Sequence, residues 1–84
     1  MNARYIAASI ADLKHAAARV AEEELRAKTE YERLRDLFWK DPTKETLDPM
    51  MKEQQRRIRI IKNREKIEEA LRRAERDARR IHAA

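Results

Sequence analysis

The chain has 84 residues, of which 44% are charged and 5% aromatic, with no glycine and no cysteine. That length allows one domain at most, and the missing residue types exclude disulfides, thiolate metal sites and glycine-rich phosphate loops. The net charge of +5 is unevenly placed: residues 1–40 carry eight Lys/Arg against seven Asp/Glu, residues 41–49 one against three, and residues 50–84 twelve against six.

Ala, Glu, Lys, Leu and Arg dominate, as in long helices and coiled coils. High charge also marks disordered chains, but the apolar residues here recur with a period and so predict ordered helices. The longest uncharged run, Tyr5 to Ala11, is too short to span a bilayer and lacks the layout of a signal peptide. The expectation is a cytoplasmic protein without membrane contact.

The first predicted helix covers residues 3–40. Its stripe reads Ala3, Ile6, Ile10, Leu13, Ala17, Val20, Glu24, Ala27, Tyr31, Leu34, Phe38. Spacings of three and four alternate without a slip, which is the seam of a coiled coil. Asn2 is placed to cap the helix, and Ser9 with Asp12 offers a second capping box. A further stripe of Ala7, Ala11, Ala18, Ala21, Leu25 and Trp39 runs beside the seam. It has two readings: alanine as a good helix former, or close contact with a second subunit.

Both prolines lie in the stretch Asp41 to Pro49. Asp is a good N-cap, Pro suits the first helical position, and the residue before Pro avoids the α region. A turn over 41–49 is therefore predicted, with the second helix starting at Pro49 and ending near residue 82. Within the turn, Thr43 to Leu47 can form one helical turn capped by Asp41, with Leu47 folded toward Phe38 or Trp39.

The second seam reads Met50 or Met51, Gln54, Ile58, Ile60 and Ile61, Arg64, Ile67, Leu71, Ala74, Ala78, Ile81. Reversal at 41–49 pairs residues whose numbers sum to about 88 or 89 in an antiparallel hairpin. Phe38 then meets Met50 and Met51, Tyr31 meets Ile58, Ala27 meets Ile60 and Ile61, Val20 meets Ile67, Ala17 meets Leu71 and Leu13 meets Ala74. Ile10 and Ile6 close the far end against Ala78 and Ile81. Glu24 and Arg64, whose numbers sum to 88, are predicted to form a structural ion pair that sets the register. The fold class is all-α: an antiparallel two-helix hairpin, expected to dimerise into a four-helix bundle because one seam is a small core for this length.

Candidate sites lie outside the seam. Lys52, Arg59, Lys66, Arg73 and Arg80 recur every seven residues along one flank of the second helix, with Arg56 between the first two. Such a row can follow nucleic-acid phosphates, or it can pair with Glu23 and Glu30 of a neighbouring helix. Leu37, Trp39 and Leu47 cluster near the turn, and an exposed Trp beside Leu is a typical anchor for a partner protein. His15 and His82 have no ligand at i+3 or i+4 that would build a metal site, and Ser9, the one serine, sits in an Ala-rich helix. No catalytic, cofactor-binding or metal residue is predicted.

In layout, the chain resembles small helical-hairpin chaperones of secretion systems and RNA-binding bundles made of two hairpins. It also resembles hairpins that enter the secondary channel of RNA polymerase, whose acidic tips Asp41, Glu45 and Asp48 would imitate. Likeness of architecture implies fold and not function. The reading is a non-catalytic interaction module that binds a protein partner as adaptor, chaperone or regulator. The alternative is a nucleic-acid-binding dimer using the basic flank.

Overall fold

A computed structural model describes the backbone of residues 3–83 and the side chains of residues 9–81. The Asn2 cap, the seam positions Ala3 and Ile6, Ala7 of the second stripe and His82 lie outside the described side chains. Two helices make up the fold, α1 (Ala3–Lys40) and α2 (Lys44–Ala83), packed antiparallel along their length. The hairpin measures 62 × 14 × 14 Å with a radius of gyration of 18.7 Å, against about 12 Å for a compact domain of this length. Neither helix is long and apolar enough, among the described residues, to cross a membrane.

The turn is shorter than the prolines suggest. Helix α1 ends at Lys40 because Pro42 cannot donate a backbone hydrogen bond, and Asp41 N makes the last helical bond, 3.0 Å to Leu37 O. The expectation that α2 starts at Pro49 is corrected: it starts at Lys44, and Pro49 sits inside it. The cap is Thr43 rather than Asp41. Thr46 N lies 3.3 Å from Thr43 Oγ1, and Thr43 N lies 3.1 Å from Thr46 Oγ1, a reciprocal capping box with threonine at both positions. Thr46 Oγ1 also donates to Asp41 O at 2.6 Å, tying the cap to the end of α1. The first helical bond follows at once, Leu47 N to Thr43 O at 2.9 Å. Pro49 is tolerated because its missing donor frees one carbonyl, that of Glu45, near the helix start.

Contacts across the seam keep a sum of 87 or 88. Val20, Ala27 and Ile60 form one buried cluster with Ile67 packed against it, and Arg64 faces Glu24. Lys40 accordingly stands level with Asp48, and the first turn of α2 extends about 6 Å past the end of α1. Leu47, Phe38 and Met50 are half-buried there.

The seam of α2 differs from expectation at one layer. Ile58 was expected against Tyr31, but it is 42% exposed. Arg57 takes its place, with its guanidinium carbon 5.7 Å from the Tyr31 ring centroid in a cation–π contact. Met50 lies in the seam and Met51 outside it. The inward positions of α2 are thus Met50, Arg57, Arg64, Leu71 and Ala78, seven apart, joined by Ile60, Ile67 and Ala74. Two arginines in that row thin the core: among the described residues, Val20, Ala27 and Ile60 are the buried apolar side chains.

Candidate interaction surfaces

The sides of the hairpin follow from its heptads. In an antiparallel pair, equivalent flanks of the two helices lie on the same side of the plane containing both axes. Glu30 supplies a direct marker. Its carboxyl is held below the usual carboxylate range, chiefly by the hydrogen bond from Arg33, and the charge of Arg56, reaching from α2, adds to the effect. Glu30 and Arg56 occupy equivalent flank positions, so these flanks share a side.

The opposite side is apolar. Leu25 and Trp39 of α1, 64% and 73% exposed, occupy the position that follows the inward Glu24 and Phe38. Met51 and Ile58 of α2 follow the inward Met50 and Arg57 and are likewise exposed. All four fall on one side of the hairpin, together with exposed Ala11, Ala18 and Ala21. Charges on this side are mixed: Glu32 and Arg35 of α1 and Arg72 and Arg79 of α2 share it with four further ones, Lys14 and Lys28 on α1 and Glu65 and Glu75 on α2. None of these four makes an ion pair with another described residue.

At the tip, the Phe38 and Trp39 rings meet edge-on, with centroids 6.1 Å apart at 63°. Phe38 turns into the seam and Trp39 out to the apolar side. Leu37 is exposed on the other side, and Leu47 is half-buried. The three candidate anchors therefore do not form one patch: Trp39 and Leu47 belong to the apolar side, and Leu37 does not.

The cationic side carries the predicted row. Lys52, Arg56, Arg59, Lys66, Arg73 and Arg80 are all exposed. Arg56 is held by Glu53 at 2.8 Å and Arg73 by Glu69 at 2.9 Å. Lys52, Arg59, Lys66 and Arg80 have no carboxylate within 4.0 Å among the described residues. Sequence reasoning missed a parallel row on α1: Arg19, Arg26 and Arg33, also seven apart and exposed, occupy the matching flank. Their recurrence was the available signal, masked by the near-neutral total charge of that helix.

Inside the seam, Arg64 Nε stands 2.6 Å from Glu24 Oε2. Its N–H is not aimed at that oxygen, so the contact is coulombic. The hydrogen bond from the guanidinium goes instead from Nη1 to Glu68 Oε1 at 3.1 Å. The bond to Glu68 first, and the charge of Glu24 next, raise the Arg64 pKa above its ordinary value. Gln54 Oε1 and Arg57 Nε are buried without hydrogen-bond partners about two to three turns closer to the tip. No group of three His, Cys, Asp or Glu side chains gathers into a metal site among the described residues. No model of a known protein family, no curated protein and no solved structure matches the chain.

Proposed function

We propose that the protein is a non-catalytic helical interaction module whose apolar side is covered by partner helices, beginning with a second copy of itself. The observation that carries this reading is Leu25, Trp39, Met51 and Ile58 lying exposed on one side of a hairpin with a thin core. The accessible surface is 6752 Å², against about 5,300 Å² for a compact 10.1 kDa monomer. Covering that difference of roughly 1,500 Å² on each of two chains corresponds to an interface in the range of permanent assemblies.

Four charges favour one arrangement, although Arg72 and Arg79 on the same face of α2 oppose it in part. Laying α1 over α2 of the other copy sets Lys14 and Lys28 against Glu65 and Glu75. Laying α1 over α1 opposes like charges. The favoured four-helix bundle therefore has both hairpin tips at the same end, with Trp39 and Leu47 of each copy completing one shared cluster. A different protein partner would bind by the same chemistry: an apolar helix, acidic where it lies over α1, with Trp39 as its anchor.

The test combines sedimentation over a range of concentrations with a distance between spin labels. The chain has no cysteine, so Asp41→Cys gives a single labelled site at the tip. The expected result is a dimer with a short tip-to-tip distance. A dimer with its labels separated by nearly the 62 Å length of the hairpin would reject the arrangement alone, and a monomer at every concentration would reject self-association.

A further inference from the structure

We propose that the cationic side of the hairpin binds double-stranded nucleic acid through its phosphate backbone. This surface is distinct from the apolar side and remains accessible in the dimer, so the inference stands whether or not self-association does.

The argument begins with segregation. On α2, Lys52, Arg59, Lys66, Arg73 and Arg80 follow one another at about 10.5 Å, a row of about 42 Å. Of the α2 carboxylates without an ion pair, Glu65 and Glu75 lie on the opposite side; Glu45, one heptad before Lys52, and Asp77, at the heptad position of Arg56, lie on this one, so the row is predominantly cationic. Arg19, Arg26 and Arg33 continue the positive surface onto α1. Arg26 and Arg33 are engaged by Glu22 and Glu30 within their own helix, which leaves the α2 row as the stronger field.

Four cations of that row, Lys52, Arg59, Lys66 and Arg80, have no carboxylate within reach among the described residues. A surface of this kind is complementary to a dense polyanion. Duplex nucleic acid carries one negative charge per about 1.7 Å of axis, and the row is longer than one duplex turn of about 34–36 Å. A protein partner would need apolar or aromatic anchors, and the large apolar residue exposed on this side is Leu37 alone among the described residues.

Among the described residues no aromatic side chain lies on this side, which separates duplex from single strand. Single-stranded binding stacks bases on aromatic rings. Trp39 lies on the apolar side, Phe38 turns into the seam, and Tyr31 is covered by Arg57. Phosphate contact without base stacking fits a duplex of any sequence.

The experiment measures binding of the full chain to a DNA duplex of about 30 base pairs and arbitrary sequence, by fluorescence anisotropy over a salt series. Four phosphate contacts predict that log K falls against log[salt] with a slope of about −4. Reversing three free cations together (Arg59→Glu, Lys66→Glu, Arg80→Glu) is expected to flatten that slope by about three and to weaken binding about 100-fold or more at low salt. Arg35→Glu with Arg72→Glu and Arg79→Glu changes net charge equally on the apolar side, and should leave the slope in place. Circular dichroism of both variants checks that each remains helical. The proposal is overturned if the duplex is not retained at the lowest salt, if the two variants lose binding equally, or if polyglutamate binds as tightly as the duplex.

Discussion

Arg64 faces Glu24 across the hairpin, Nε to Oε2 at 2.6 Å, while its Nη1 donates to Glu68 on its own helix. One guanidinium therefore answers two carboxylates, and it does so in the middle of a largely apolar seam. A half-buried pair of this kind adds little net stability over apolar residues, but removing one partner leaves the other desolvated and alone. Glu24→Arg and Arg64→Glu should each lower the midpoint of thermal unfolding. The double exchange should recover part of that loss and not all of it, because Arg64→Glu also sets a carboxylate beside Glu68. A double variant no more stable than the worse single one would show that the two side chains are not coupled.

Ala27 is 0% exposed in the cluster it forms with Val20 and Ile60. No larger side chain fits there without moving α2. Ala27→Leu is expected to cost about 1–3 kcal/mol through overpacking. Ile60→Ala is expected to cost about 2–5 kcal/mol through the cavity it leaves. Chemical denaturation of both variants checks this. An Ala27→Leu variant more stable than the parent would mean that the seam is not packed in this register.

The start of α2 depends on the exchange between Thr43 and Thr46. Thr43→Ala removes the side-chain acceptor for Thr46 N and is expected to cost about 0.5–2 kcal/mol. Thr43→Ser keeps the acceptor and should stay close to the parent. Asp41→Ala, which leaves the backbone carbonyl bonded by Thr46 in place, should cost less than Thr43→Ala. The reverse order would return the cap to Asp41.

Acid acts on the cationic side through Glu30. Its pKa is lowered in the fold by Arg33 and Arg56. A carboxylate with a depressed folded pKa contributes stability that is fully present above its ordinary value of 4.5, and that is lost as pH falls through the folded value. A carboxyl-resolved NMR titration should place the Glu30 midpoint below 4.5, and Arg33→Gln should move it upward. A midpoint unchanged by Arg33→Gln would show that the hydrogen bond from Arg33 does not form in solution.

Much of the fold was legible before any coordinates. An uninterrupted three-four spacing from Ile10 to Phe38 leaves a helix one apolar face, and two such faces joined by a proline-bearing turn have one economical pairing. The sums of 87 and 88 at Val20, Ala27 and Arg64 follow from that periodicity. The candidate surfaces were half legible. Seven-residue recurrence marks the cationic row on α2, since a flank position repeats once per heptad whatever the helix packs against.

Three things were decided only in three dimensions. At Asp48-Pro49 the local preferences favour a helix start, yet the mutual cap of Thr43 and Thr46 begins the helix earlier, because two satisfied backbone groups outweigh one lost donor near the helix end. At Arg57 and Ile58, hydropathy favours the isoleucine, but the phase of α2 set by Ile60, Arg64 and Ile67 turns Arg57 inward over Tyr31. The meeting of Leu25 and Trp39 with Met51 and Ile58 on one side, and of the two cationic rows on the other, depends on the handed packing of antiparallel helices. Sequence alone determined two amphipathic helices and their register; which flanks lie together is a non-local relation, present in neither helix until they pair.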